Sequence, residues 1–384
     1  MAINVGLLST ISTNIGDDFI REGIVSVIND VLKNEKVDLV IINKHEPREI
    51  YPSWHPIRSL YRRGFVARKA LAPLRKVAER WLPLFGFSKF DKCDIVIQCG
   101  TPIIWEGCRN SEWARLIWRD VLARLSRRGT PILNIGGGSA YPWERQPATL
   151  AGNADESFIR LMLVTSRLTI VRDELARRLF ETLGFATRKV CCPAILAGQS
   201  VVAPAKATKK VLINYMEGGG HYDFGQGIDS SVWEKTMRDV VKELRQRGWQ
   251  LVFLAHNEKE SELAARIWPD LPCVFPNSQR DYFEVVRDAA FGIFNRMHAS
   301  VAAAGLGIPS VAIGTDTRNL MVETTGLSVL YVKEATADRL LFAVDNLAES
   351  RDSETQRLLK LRQETFETYK SILRPFLLSA GSSN

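Results

Sequence analysis

Two side chains that could hold an anion, Arg296 and His298, lie between a predicted strand and a predicted helix. Residues 291–294 are apolar or glycine, which is typical of a strand buried on both faces, and the small residues at 299–306 favour a helix. Ligands of open α/β sheets bind at the carboxyl ends of strands, where helix N-termini present free N–H groups. The sequence therefore predicts an anion site here; an arginine paired with a carboxylate and a capping histidine are the alternative.

A second group of candidates belongs to the N-terminal half of the chain. Gly16 allows a tight turn after the first predicted strand, and Asp17 opens the next helix as either an N-cap or a general base that faces a cleft. Arg172 follows the predicted strand 168–171 and so occupies the same kind of junction as Arg296. Arginines on two facing domains could clamp one ligand that carries two anionic groups.

Glycine-rich and polar residues follow further predicted strands. Gly137 and Gly138 end a glycine triplet that would let the backbone approach an anion closely, with a packing turn as the alternative. The triplet matches neither the dinucleotide-binding nor the P-loop signature. His221, His256 and Arg318 also fall at predicted strand ends, and His221 lies in a glycine-rich loop that could close over a substrate.

Two sheets are needed to position these side chains. Predicted strands cover residues 3–8, 38–42, 94–99, 131–135, 168–171 and 190–195, and then 211–215, 250–255, 291–294, 310–313 and 328–332. Helix-length segments between them predict an α/β fold with two Rossmann-like domains that face a cleft. We place the domains at residues 1–200 and 208–345, followed by a C-terminal helical segment, 346–384, that packs across both.

Composition limits the class of protein. The 384 residues include 51 lysines and arginines against 43 aspartates and glutamates, so the net charge of +8 favours acidic partners. The six cysteines form no CxxC pair, which predicts reduced core residues and no metal site. No apolar run is long enough to span a bilayer, so the sequence predicts a cytoplasmic protein.

A basic insertion interrupts the alternation at residues 57–92. It carries ten lysines and arginines against Glu79 and Asp91, interleaved with apolar residues. A basic amphipathic helix could lie peripherally on the inner face of a membrane or cover the acceptor end of the cleft, and a solvated surface helix is the alternative. The basic charge is concentrated in this one segment and no nucleic-acid-binding motif appears, so no nucleic-acid partner is expected.

Taken in order, these pieces resemble the polysaccharide pyruvyl transferase family. The matching segments begin at Asn14-Ile15-Gly16-Asp17 and continue through the glycine triplet, Val171-Arg172-Asp173, Leu254-Ala255-His256 and Arg296-Met297-His298. The resemblance spans roughly residues 3–330. One departure is Cys192-Pro193-Ala194, where relatives tend to have Asp-Pro-Ala.

The resemblance implies a fold similar to B-type glycosyltransferases, with the acceptor on the N-terminal domain and the donor on the C-terminal one. It also implies transfer of the pyruvyl group of phosphoenolpyruvate, as a co-substrate and without cofactor or metal, to two hydroxyls of a cell-surface sugar, giving a cyclic ketal and phosphate. Arg172 and Arg296 would hold the donor, His298 would be proton donor or phosphate ligand, and Asp17 would be the base. The further substrate-binding candidates are Asn14, Gly16, Gly137, Gly138, His221, His256 and Arg318.

Two other functions fit the same fold. A nucleotide-sugar-dependent glycosyltransferase would use the same architecture with another donor, and a non-catalytic relative would bind an anionic glycan. For the transferase, the expected acceptor is a sugar of a cell-surface polysaccharide or its precursor, including a lipid-linked one, and residues 57–92 could make a peripheral membrane contact.

Overall fold

The computed structural model describes residues 2–11, 15–55, 58, 87–198, 208–222 and 224–382. Asn14 and most of the basic insertion lie outside these residues, so the expectations placed on them stay predictions. Within the described ranges, none of the helices is both long enough and apolar enough to cross a membrane.

The N-terminal half of the described chain forms a seven-stranded parallel sheet with the order β2-β1-β3-β5-β6-β7, and β4 pairs with β5. Its strands are β1 (Ile3–Ser9), β2 (Val37–Asn43), β3 (Ile95–Cys99), β4 (Ile103–Ile104), β5 (Ile132–Ser139), β6 (Leu168–Val171) and β7 (Arg188–Lys189). Its helices are α1 (Ile15–Val31), a π-helix (Ala114–Leu122), α2 (Ala123–Arg127), α3 (Glu156–Thr165) and α4 (Glu174–Glu181), with short 3-10 turns at Pro47–Ile50, Lys89–Lys92, Cys108–Asn110 and Pro193–Leu196.

The second half forms a six-stranded parallel sheet with the order β10-β9-β8-β11-β12-β13. Its strands are β8 (Lys210–Asn214), β9 (Gln250–Leu254), β10 (Cys273–Val274), β11 (Phe291–Phe294), β12 (Ser310–Gly314) and β13 (Ser328–Tyr331). The helices are α5 (Ser230–Gln246), α6 (Glu258–Ile267), α7 (Gln279–Val286), α8 (Met297–Gly305), α9 (Asn319–Glu323), α10 (Ala337–Glu349) and α11 (Arg351–Ser382), with a 3-10 turn at Val332–Glu334. The predicted α/β class with two Rossmann-like domains is confirmed.

Two local predictions are wrong. Residues 190–195 were expected to form a strand, but the sheet ends at β7 and Pro193 starts a 3-10 turn, because proline has no N–H group to donate to a strand ladder. The glycine triplet was expected in a turn after a strand that ends at residue 135, but β5 continues through it to Ser139. Gly136 has a φ of +75°, where the pairing with β6 shifts register, and this bulge lets the strand continue.

The two halves share a packed interface that fixes the cleft between them. Phe19 of α1 lies 4.8 Å from Tyr282 and 5.2 Å from Phe283 of α7, measured between ring centroids. Helix α11 contacts both α1 and α8, and the Tyr369 hydroxyl donates a hydrogen bond of 2.9 Å to the carbonyl of Cys191. Buried apolar contact of this kind holds two sheets in a fixed relation. The exact domain boundaries stay predictions.

Candidate active site

A cleft of about 620 Å³ lies where the strands of both sheets end. Thr10, Lys44, Thr101, Ala140 and Arg172 line it from the first sheet, each just after a strand. The second sheet contributes His221, Tyr222, Phe224, His298 and Arg318. Asp17, from the first turn of α1, lies in the same cleft. Five of the candidates predicted from sequence therefore line one cleft: Asp17, Arg172, His221, His298 and Arg318.

Arg172 is the most deeply buried cation of the cleft, with 1% of its surface exposed. Its Nη1 lies 3.3 Å from Nε2 of His298, and because a guanidinium can only donate, the imidazole nitrogen is the acceptor. The Nε and Nη2 atoms of Arg172 have no oxygen or nitrogen partner within the described part of the chain, and the Cys192 thiol lies beside the guanidinium. Burial raises the pKa of the neighbouring Cys192 thiol, so this residue stays neutral beside the arginine. Buried donors of this kind favour an anionic ligand.

The glycines of β5 and an N-cap hold Arg172 in place. Its backbone N–H donates to the Gly137 carbonyl at 2.7 Å, and Asp173 caps α4 through the Ala176 N–H. A Cβ atom on Gly138 would lie 2.8 Å from Nε of Arg172. Gly137 and Gly138 therefore allow close packing within the protein and do not line the cleft, contrary to the expectation that they approach a ligand.

His298 lies in the first turn of α8 against Gly16. A Cβ atom on Gly16 would come within 2.6 Å of the His298 Nδ1 atom, so only glycine leaves room for the ring. Burial, helped by the positive charge of Arg172, lowers the pKa of His298 to about 3. The imidazole is therefore neutral near pH 7.

Asp17 and Lys44 bring a negative and a positive side chain to the cleft. Burial alone would raise the pKa of Asp17, but the positive charges of Lys44 and Arg172 hold it below its usual value, so the carboxylate is ionised. Burial also lowers the pKa of Lys44, opposed by Asp17. Sequence reasoning missed Lys44, although its position directly after β2 follows the same strand-end rule as the other candidates.

Arg296 differs from its predicted placement. Its Nε and Nη2 atoms bind Oε1 of the buried Glu260 at 2.8 and 2.5 Å, while Nη1 lies 3.3 Å from Nδ1 of His221. Arg296 lines a small adjoining hollow rather than the main cleft. The two arginines that face the cleft from opposite domains are therefore Arg172 and Arg318, and not Arg172 and Arg296.

The remaining histidine and arginine candidates are held by neighbours. His256 lines the same small hollow as Arg296 and not the main cleft, and its Nδ1 lies 3.3 Å from Oε2 of Glu260. Arg318 donates to both oxygens of Asp316 at 2.8 and 2.5 Å and lies 4.5 Å from the centre of the Tyr222 ring. Burial and the charges of Arg318 and Arg296 lower the pKa of His221 to about 4, so its imidazole is neutral as well.

Comparisons with known proteins agree with this architecture. The family model described as polysaccharide pyruvyl transferase matches residues 14–317. A comparison with curated proteins gives no match.

Similar solved structures include two UDP-GlcNAc 2-epimerases and a trehalose 6-phosphate synthase. The Neisseria meningitidis epimerase, bound to UDP-GlcNAc, has a TM-score of 0.53 and 11% identity, over 99% of this chain and 100% of that one. The Methanocaldococcus jannaschii epimerase has a TM-score of 0.52 and 13% identity, over 91% of this chain and 93% of that one. The synthase from Burkholderia multivorans has a TM-score of 0.52 and 11% identity, over 100% of both chains. At these identities the likeness shows the fold, that of B-type glycosyltransferases and related epimerases. The family match covers most of the chain and includes Asp17, Arg172 and His298, and the chain belongs to the polysaccharide pyruvyl transferase family.

Proposed function

We propose that this protein transfers the pyruvyl group of phosphoenolpyruvate to two hydroxyls of one sugar in a cell-surface polysaccharide or its precursor. The product is a cyclic ketal, and phosphate is released. Beyond the family match, the observation that carries this proposal is Arg172, a buried cation of the cleft whose Nε and Nη2 donors lack oxygen and nitrogen partners in the described residues.

The charges of the cleft suit this donor. Phosphoenolpyruvate carries a carboxylate and a phosphate, and a guanidinium holds such groups with paired, charge-assisted hydrogen bonds. Lys44 forms no ion pair within the described residues and supplies a second cation, while the N-terminus of α8 adds its positive dipole beside His298. Arg318 is already paired with Asp316 and therefore contributes less net charge.

The reaction needs a defined set of proton transfers. The methylene carbon of the donor gains a proton, one sugar hydroxyl attacks the central carbon, the C–O bond to phosphate breaks, and the second hydroxyl closes the ketal. The two hydroxyl protons balance the one gained by carbon and the one that leaves on hydrogen phosphate. In this proposal ionised Asp17 accepts a hydroxyl proton. Lys44 and His298, the latter once a bound phosphate raises its pKa, are the groups that can supply the proton to carbon.

Product analysis tests this proposal. The protein would be incubated with phosphoenolpyruvate and a panel of lipid-linked and nucleotide-linked sugars, with phosphate release and the mass of the sugar product measured together. We expect both a pyruvylated sugar and phosphate in equal amounts from the wild type, and neither from His298→Ala or Asp17→Asn. Wild-type turnover in both variants would contradict the catalytic roles of His298 and Asp17.

The same experiment separates the other functions. A glycosyltransferase would consume the nucleotide sugar without phosphoenolpyruvate, and a non-catalytic glycan-binding relative would consume neither. Liposome flotation with and without residues 57–92 tests the proposed membrane contact, and equal recovery of both forms would contradict it.

A further inference from the structure

One wall of the cleft carries aromatic side chains that the donor chemistry does not use. Trp105 and Trp113 lie 5.9 Å apart between ring centroids, with their planes inclined by 59°, and Phe158 lines the cleft with them. Both tryptophans are half-buried, so part of each ring faces the cleft. We call Trp105, Trp113 and Phe158 the aromatic wall.

The aromatic wall belongs to the first domain. Trp105 follows β4, and Trp113 directly precedes the π-helix Ala114–Leu122. Helices of this type are rare and are frequently found at functional sites. Lys44 links the wall to the charged groups, because its Nζ atom lies 5.4 Å from the Trp113 ring centroid. A ligand on the wall would therefore lie next to an anion bound at Arg172 and Lys44.

His45 gives the same wall a polar partner. Its Nδ1 atom lies 2.8 Å from Oε1 of Glu112, and its ring meets Trp113 edge-on at 5.1 Å. A carboxylate acceptor favours the tautomer in which Nδ1 carries the proton, which leaves Nε2 as an acceptor. A hydroxyl group that approaches the wall could therefore donate a hydrogen bond to His45.

We propose that the aromatic wall is the acceptor subsite and binds a neutral pyranose ring against Trp113, with one hydroxyl donating to His45. A pyranose presents a face of C–H groups, which is complementary to the electron-rich face of an indole, and a rim of hydroxyls. Glu112 would repel an acidic sugar at this position, and the cations of the cleft bind the donor. The inference rests on the proposed function, because it assigns donor and acceptor to different parts of one cleft.

The size of the cleft supports two ligands. Clefts of this volume enclose ligands of drug size, and phosphoenolpyruvate is much smaller. Donor binding at Arg172 therefore leaves the space beside Trp105 and Trp113 for a ring-sized second substrate.

Saturation-transfer-difference NMR tests the subsite with the methyl glycosides of glucose, galactose and mannose, in the presence of phosphoenolpyruvate. We expect ring-proton signals from at least one glycoside with the wild type, reduced by about fivefold or more in Trp113→Leu and retained in Trp113→Phe. Trp54→Leu is the matched control, since Trp54 is 64% exposed and lies outside the cleft. Calorimetric titration should give the same affinity for phosphoenolpyruvate in the wild type and in all three tryptophan variants.

Each other outcome is decisive. The proposal is overturned if none of the three glycosides gives a signal with the wild type, or if Trp113→Leu gives the wild-type signal. It is also overturned if Trp113→Leu loses phosphoenolpyruvate binding while keeping its circular dichroism spectrum and melting temperature, because the wall would then belong to the donor site. If the wild type binds a glycoside but does not bind phosphoenolpyruvate, the proposed function is contradicted, and the aromatic wall remains a sugar-binding site.

Discussion

Replacing Arg172 by lysine tests whether the buried guanidinium is the donor-binding group. The substitution keeps the positive charge but removes the planar fork of donors that fits a carboxylate or phosphate. Nε and Nη2 of Arg172 have no oxygen or nitrogen partner in the described residues, and Arg172 lines the cleft. A guanidinium can hold an anion through two parallel hydrogen bonds, whereas a lysine ammonium at the same place can replace only one of them, so one charge-assisted hydrogen bond is lost.

The size of the effect follows from that loss. One hydrogen bond to a charged group contributes about 1.5–3 kcal/mol, which corresponds to a dissociation constant for phosphoenolpyruvate that is about 10- to 150-fold larger. The melting temperature is measured in the same variant, because Arg172 is fully buried and its Nη1 atom also contacts His298.

Isothermal titration with phosphoenolpyruvate measures the change directly. Arg177→Lys is the matched control, because Arg177 lies on the neighbouring helix α4 and is paired on the surface with Glu174 and Glu181. We expect wild-type affinity in the control. A dissociation constant for Arg172→Lys within about threefold of the wild-type value, with a folded protein, would refute the assignment of Arg172 as the donor-binding group.

Three further predictions concern Gly16, His298 and the ion pair of Glu260 with Arg296. Gly16→Ala puts a methyl group 2.6 Å from Nδ1 of His298, so phosphate release should fall by about 100-fold; Gly218→Ala, which meets nothing within 4 Å, is the control and should keep the wild-type rate. Because the pKa of His298 is about 3 in the folded protein against 6.5 in the unfolded chain, the free energy of unfolding should decrease as the pH falls between these values. His298→Gln should reduce that slope by about 1.4 kcal/mol per pH unit in urea titrations, and equal slopes would contradict the neutral imidazole. Glu260→Ala leaves the buried Arg296 without its carboxylate partner and should lower the free energy of unfolding by about 3–5 kcal/mol. Adding Arg296→Met should restore part of that free energy, and no increase would argue against the ion pair.

The strand-end rule predicted much of the cleft because it depends on topology alone. Parallel strands end at one edge of a sheet, so residues that follow them must lie close together once the strands are assigned correctly. Asp17, Arg172, His298 and Arg318 were found in this way. Lys44 comes directly after β2, so the same rule applied to that strand could have identified it.

Contacts between distant segments could not be predicted from the sequence. Arg296, which follows β11, pairs with Glu260 of α6 across 36 residues of sequence, and no local pattern specifies such a contact. The glycine triplet has the composition of a turn, and its place inside β5 depends on the close approach of Arg172 from the neighbouring strand. The aromatic wall combines Trp105 after β4, Trp113 before the π-helix and Phe158 of α3, and no local pattern brings these three segments together.

A crystal structure with phosphoenolpyruvate bound tests the central claim most directly, that the cleft between the two sheets holds this donor on Arg172. We expect the carboxylate or phosphate oxygens within hydrogen-bonding distance of the Arg172 guanidinium, beside Lys44 and His298, with the space in front of Trp113 still open. Phosphoenolpyruvate bound away from Arg172, or a nucleotide sugar that occupies the cleft in its place, would contradict the proposed function.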